Sequence, residues 1–218
     1  MRKLLLLRPE PGLSASAERV RALGLDFLCC PLFYVEPVSW NVPDPTQYDA
    51  LLLTSANAVR HAGPELEQLA RLPVHAVGRA TAAAARDAGL TVETIGSGNV
   101  SDLLASLPSS LRLLHLAGED HRAVDDMRID RRIIYQSVPI PDPGLPTLGE
   151  LVVAVHSPRA GARLAELSNE RNSTIIAAIS RAAAAACGEG WEGIAVAEEP
   201  NDKSLLALAA SLCHKSDQ

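Results

Sequence analysis

Leu51-Leu52-Leu53-Thr54-Ser55-Ala56-Asn57-Ala58 is answered, 102 residues further on, by Val153-Ala154-Val155-His156-Ser157-Pro158-Arg159-Ala160. Each is a short apolar run that ends in a polar turn and passes into a helix-like segment. The register then holds without a gap. Val77-Gly78-Arg79-Ala80 faces Ile179-Ser180-Arg181-Ala182, and Asn99 with Leu103-Leu104-Ala105 faces Asn201 with Leu205-Leu206-Ala207. Only 12 positions between 51–107 and 153–209 are identical, seven of them Ala, so the phase of the apolar runs carries the reading rather than identity. A constant offset through strand, turn and helix signals predicts two related α/β halves, and two such halves make a cleft between them.

Outward from this repeat, strand-like and helical runs alternate. The first part predicts a strand over 4–7, a helix from Ser14 or Ser16 to Gly24, and a strand over 27–35. The middle predicts strands at 50–53, 74–77, 92–95, 112–116 and 132–138, with helices at 58–72, 81–88 and 102–107. The last part predicts strands at 151–155, 174–179 and 194–197, with a helix to about 167, an Ala-rich helix closing at Gly188, and a final one over 203–212. Such alternation implies α/β architecture, doubly wound parallel sheets with helices on both faces. Two proline-rich passages, each holding Pro-Asp-Pro (43–45 and 141–143), read as linkers between the same two bodies, so one domain is inserted into the other.

A chain of 218 residues suffices for two domains of about 100 residues each. Hydrophobic residues make up 47% and charged residues 21%, ordinary for a globular protein, but aromatics are only 3%. With so few aromatics and a net charge of −6, neither stacking platforms nor a basic field is available for nucleic acid. The apolar run Leu4-Leu5-Leu6-Leu7 is cut by Arg8-Pro9, so it reads as a buried first strand rather than a signal peptide, and no run is long enough to span a bilayer. Cys29, Cys30, Cys187 and Cys213 lack metal-ligand spacing; reduced thiols in a cytoplasmic protein are the expectation.

In a parallel sheet, ligands gather beyond the carboxyl ends of the strands, where helix N-termini offer free N–H groups. Four polar turns fall there: Thr54-Ser55-Ala56-Asn57, Gly78-Arg79-Ala80-Thr81, Ser157-Pro158-Arg159 and Ser180-Arg181. Each also reads as a plain N-cap. Gly96-Ser97-Gly98 is a weak phosphate-loop signal without Walker or dinucleotide spacing. No Gly-x-Ser-x-Gly elbow occurs. The six histidines lack paired ligand spacing, so no metal is expected; His75 and His115 read as packed strand residues. The charged run from Glu119-Asp120-His121-Arg122 to Asp130-Arg131-Arg132 reads as solvated surface. Tyr135, one of three tyrosines, ends an apolar strand just before Gln136-Ser137 and a linker.

At these residues the chain resembles the uroporphyrinogen-III synthase family over nearly its whole length. The strongest segments are Leu53-Thr54-Ser55-Ala56-Asn57-Ala58-Val59, Val77-Gly78-Arg79-Ala80-Thr81-Ala82 with Ala88-Gly89-Leu90 after it, and Ile134-Tyr135-Gln136-Ser137-Val138. Ser157-Pro158 and Leu205-Leu206 complete the order. The resemblance implies two domains joined by a two-stranded ladder, the first from about 1–37 with 140–218 and the second from about 42–136. It implies a monomer without metal or organic cofactor that closes linear hydroxymethylbilane, a tetrapyrrole polycarboxylate, into uroporphyrinogen III with loss of water and inversion of ring D. Tyr135 matches the tyrosine thought to assist departure of the hydroxyl. Ser55, Gly78, Thr81 and Ser157 match positions lining the cleft, and Asn57 belongs to the same first turn. The chain departs from the family pattern in having Ser180-Arg181-Ala182-Ala183 where Gly-Pro-Thr-Thr is common, and His156 where Thr is usual. Arg159 and Arg181 are then the expected substitute partners for substrate carboxylates. A labile substrate also raises transient contact with hydroxymethylbilane synthase, which releases it.

Two other classes stay open on the residues alone. One is a noncatalytic two-domain α/β protein that closes on a small anionic ligand, favoured by the lost hydroxyls at Ala182 and Ala183. The other is a sugar- or nucleotide-dependent transferase using Gly96-Ser97-Gly98.

Overall fold

The structure, a computed structural model, describes residues 1–96, 99–120, 125–169 and 171–214. The chain forms two compact units, Met1–Tyr34 with Pro139–Gln218, and Val35–Val138. In the first lie β1 (Lys3–Leu6), α1 (Gly12–Ala22) and β2 (Phe27–Cys29). β3 (Phe33–Pro37) carries the chain into the second unit, which holds β4 (Ala50–Leu53), α2 (Ala56–His61), β5 (Val74–Val77), α3 (Arg79–Asp87), β6 (Val92–Gly96), α4 (Val100–Ser106) and β7 (Leu113–Gly118). β8 (Ile129–Pro139) brings it back to β9 (Leu151–Val155), α5 (Pro158–Leu167), β10 (Ile175–Ala178), α6 (Arg181–Ala186), β11 (Gly193–Val196) and α7 (Asp202–His214).

The first unit has the strand order β11-β10-β9-β1-β2 and the second β3-β8-β7-β4-β5-β6. From β11 to β2 every neighbouring pair is parallel, as is every pair from β8 to β6. β3 is the sixth strand of the second sheet, beside β8. The amide of Val38 bonds the carbonyl of Ile134 and that of Ile140 bonds Leu32, so one strand ascends as the other descends. The offset repeat recurs element by element: β4-α2-β5-α3-β6-α4 corresponds to β9-α5-β10-α6-β11-α7, and β4 and β9 occupy the same place in their sheets.

Strands that are paired on both sides and covered on both faces need uninterrupted apolar sequence. β4, β7 and β9 are buried at every position, whereas β6 and β11, at the sheet edges, alternate. Successive side chains point to opposite faces. In the first unit Leu5, Val153 and Ile176 therefore pack against α5 and α6, while Leu4, Leu6 and Val152 pack against α1 and α7. In the second, Leu51, Leu53 and Leu116 meet α2 and α3, and Leu52 and Leu113 meet α4. No helix among the described residues is long and apolar enough to cross a membrane.

Two elements differ from the sequence expectation. The strand expected over 27–35 is divided into β2 and β3 around Pro31, which has no N–H to continue a ladder. The helix expected over 58–72 stops at His61, because Gly63 takes φ +72° and Pro64 follows; a 3-10 helix, Gly63–Leu69, replaces the remainder.

Close helix packing in the first unit depends on Gly161 in α5. A β-carbon there would stand 2.8 Å from the Ala183 carbonyl oxygen and 3.0 Å from Cys187 Sγ. Overpacking typically costs about 1–3 kcal/mol, which outweighs a helix-propensity gain of roughly 1 kcal/mol. Gly161→Ala is expected to lower the urea midpoint of unfolding; a raised midpoint would show that α5 and α6 can part at no cost.

Candidate functional site

At the carboxyl edge of the second unit's sheet, β4 runs into Thr54 and Ser55. Ser55 is extended (φ −146°, ψ 141°) and caps α2, its Oγ accepting the Asn57 amide at 3.1 Å. Asn57 in turn accepts from Arg60 at 3.3 Å through Oδ1. Next to it, β5 is followed by Gly78, whose φ of +89° places it in a region that side chains rarely adopt and explains glycine there. No side chain caps α3, so its first-turn amides keep the partial positive charge of a helix N-terminus. Thr81, in that first turn, is buried at 4% exposure and presents the least surface of the expected set.

Tyr135 reaches this edge through an irregularity that sequence reading missed. β7 and β8 pair Ala117 with Ile133 and then Gly118 with Tyr135, so Ile134 is an extra residue without a partner on β7. A bulge of this kind re-aims the side chain that follows. Ile134 is fully buried and the half-buried Tyr135 ring packs against the same core. His61, the last residue of α2, stands beside it with ring centroids 6.0 Å apart. Burial and then the charge of Arg60 lower the His61 pKa, which keeps it neutral near neutrality. The Tyr135 hydroxyl has no hydrogen-bond partner among the described residues.

His115 is packed, as expected, but also bonded. Its Nε2 lies 3.0 Å from Thr54 Oγ1 and its Nδ1 accepts from Arg131 Nε at 3.3 Å. That pattern assigns the proton to Nε2. The charged run is partly structural too: Asp130 joins Tyr48 and Arg132. His121 and Arg122 of the same run, and Ser97 and Gly98 of the glycine loop, lie outside the described residues.

The first unit presents a matching edge. Ser157 caps α5, accepting the Ala160 amide at 3.1 Å, and Ser180 caps α6, accepting from Ala183 at 3.2 Å. Arg159 is exposed in the first turn of α5, its guanidinium 4.7 Å from the Phe33 ring centroid. Arg181 opens α6 and is exposed. Behind them sits a cluster the sequence reading did not single out. Asp202 Oδ1 accepts from His156 Nε2 at 2.7 Å, from Ser16 Oγ at 2.7 Å and from Arg8 at 3.0 Å, while Oδ2 meets Arg19 at 2.6 Å. Its members come from positions 8, 16, 19, 156 and 202, a separation that hides them in sequence. Burial raises the Asp202 pKa, but hydrogen bonds from His156 and Ser16 and the charge of Arg8 outweigh it and hold the carboxyl well below its usual range. Burial lowers the His156 pKa despite the bond to Asp202. The imidazole is thus neutral, with Nε2–H donating and Nδ1 buried without a partner.

The sequence-predicted residues therefore fall into two groups, each on its own unit: Ser55, Asn57, Gly78, Thr81 and Tyr135 on one, Ser157, Arg159 and Arg181 on the other. Among the described residues no three His, Cys, Asp or Glu side chains are grouped to hold a metal ion. The arrangement is that of a duplicated parallel α/β protein with a polar helix start at successive strand exits. A family model for uroporphyrinogen-III synthase HemD matches residues 14–207, and the chain belongs to that family. A uroporphyrinogen-III synthase from Chlorobaculum parvum is 29% identical over 104 residues, 44% of this chain. That match spans 42% of the relative's length. The crystal structure of uroporphyrinogen-III synthetase from Helicobacter pylori 26695 superposes with a TM-score of 0.68 at 18% identity, covering 97% of this chain and 100% of that one. A mutant uroporphyrinogen III synthase from the extremely thermophilic bacterium Thermus thermophilus gives 0.53 at 19%, covering 96% and 98%. At these identities the two structures establish the fold.

A neutral buried histidine must bind a proton on unfolding at any pH below its ordinary value of 6.5. The stability it contributes is full above that pH and is lost as pH falls, and Asp202 adds a loss of the same sign below 3.8. The melting temperature is expected to drop between pH 7 and 5, and to drop less in His156→Gln. Equal slopes in the two proteins would remove His156 as the cause.

Proposed function

We propose that the protein cyclises hydroxymethylbilane to uroporphyrinogen III, acting as a cytoplasmic monomer on substrate released by hydroxymethylbilane synthase. Membership of the family over nearly the whole chain supports the reaction. The observation that carries the chemistry is Tyr135, aimed at a sheet's carboxyl edge with a hydroxyl that no described residue engages.

Departure of the substrate's terminal hydroxyl as water leaves an electrophilic azafulvene. Tyr135 donates a hydrogen bond to the leaving oxygen, lowering the cost of its developing charge. A phenol is a weak acid near neutrality, so its contribution is modest and positioning carries more. Attack by the substituted ring-D carbon, through a spiro intermediate, then requires that the chain be coiled one way. Carboxylate contacts do the coiling. The α3 N-terminus at Gly78 and the guanidinium groups of Arg159 and Arg181 are suited to acetate and propionate groups. Ser55 and Ser157 accept from helix amides, which leaves each O–H hydrogen free to donate to a carboxylate.

Purified protein given fresh hydroxymethylbilane is expected to yield the III isomer without added cofactor. Isomer I alone, at the spontaneous rate, would instead favour noncatalytic binding of an anionic ligand. Tyr135→Phe is expected to lower kcat by about ten- to a hundredfold, at or below the usual worth of a general acid. Unchanged turnover would remove the role given to the hydroxyl.

A further inference from the structure

Gly118 ends β7 opposite Tyr135, and the contact between them is unusually close. A β-carbon built on Gly118 would lie within 2.8 Å of three atoms of the tyrosine, Cε2, Cζ and Oη. Those atoms are the hydroxyl-bearing end of the ring. Gly118 is buried, so the ring lies directly on the backbone of β7, and no other residue leaves room for that pose. Its backbone is not in the left-handed region, so conformational freedom is not what requires glycine there. The remaining requirement is space. The extra residue Ile134 supplies the other half of the device, because strict alternation after the Ala117–Ile133 pair would set Ile134, not Tyr135, opposite Gly118.

Resting on the cyclase reading above, we infer that Gly118 is a positioning residue for the reaction. Its missing side chain sets where the Tyr135 hydroxyl stands, and that position, rather than the presence of the phenol alone, determines the rate of hydroxyl departure. A methyl at 118 lifts the ring off β7 and carries Oη away from the leaving oxygen. A displacement of the order of 1 Å is enough to cost about a hundredfold in a positioned reaction.

The test compares wild type, Gly118→Ala, Tyr135→Phe and the double variant with fresh hydroxymethylbilane, and follows ring-labelled tyrosine by NMR. Wild type must first form the III isomer; if it does not, the cyclase reading fails before Gly118 is at issue. Given activity, Gly118→Ala is expected to lower kcat about as much as Tyr135→Phe, with KM within about twofold of wild type. The double variant should be no slower than Tyr135→Phe, because the hydroxyl being mispositioned is already gone. In Gly118→Ala the Tyr135 resonance should move while those of Tyr34 and Tyr48 hold. Wild-type kcat in Gly118→Ala, losses that multiply in the double variant, or an unmoved Tyr135 resonance would each overturn the inference. If Gly118→Ala fails to fold, Gly118→Ala with Tyr135→Ala decides the matter. Recovery of folding there assigns the clash to the ring, and continued misfolding shows that Gly118 serves the strand itself and overturns the proposal.

Discussion

A parallel strand that is paired on both sides and covered by helices on both faces meets solvent only at its ends. This constraint governs both units. β4 and β9 are buried from first residue to last, and each passes at its carboxyl end into a polar turn that begins a helix. Side chains within these two strands have no access to solvent, so the polar residues that follow them gather at the exits. Because the two sheets place their strands in the same order, the exits recur at equivalent positions. Ser55 and Ser157 are the same device used twice.

The serines at these exits cap helices while keeping a hydrogen to donate. A hydroxyl oxygen has lone pairs to spare and a single hydrogen. Capping engages the oxygen as acceptor, which orients it and fixes the hydrogen's possible directions without consuming it. Gly78 follows the opposite course. With no side chain to cap α3, its first amides have no side-chain acceptor. The two solutions differ in what they demand of sequence: a serine cap is interchangeable with Asn or Thr, whereas φ +89° at Gly78 is not easily met by any other residue.

The repeat is legible in the sequence because register survives when identity does not. Apolar runs and turns recur at a fixed offset although only 12 positions agree, and each corresponding helix begins at its counterpart's place, α3 at Arg79 and α6 at Arg181. Tyr135 is legible as the aromatic that closes an apolar run, although β8 continues to Pro139, but the reason its ring faces the edge is not. A bulge leaves no mark in composition, and Ile134-Tyr135 reads as ordinary alternation until the partner strand is known. Gly118 is invisible for the same reason: its need for space comes from β8, not from its neighbours. The Asp202 cluster joins the start of the chain to its end, and in sequence Arg8 does no more than stop an apolar run. Gly63-Pro64, by contrast, is a local breaker within reach of sequence reading, and an expected helix over 58–72 overlooks it.

An acidic protein and the polyanionic substrate proposed for it look ill matched until charge is considered locally. Exposed charges more than about 8 Å apart are largely screened at physiological ionic strength, so the net charge of −6 matters less than what stands at the edge. At the first unit's edge the Asp202 carboxylate is held by two guanidinium groups, Arg8 and Arg19, which offset its charge locally. Arg159 and Arg181 stand at the starts of α5 and α6, the former already ordered over Phe33, so less side-chain entropy remains to be lost on meeting a carboxylate. Protonating His156 would add a further positive charge here, but the same proton is bound more readily by the unfolded chain. Stronger anion attraction at low pH is therefore opposed by a weaker fold, so the edge is better suited to working near neutrality.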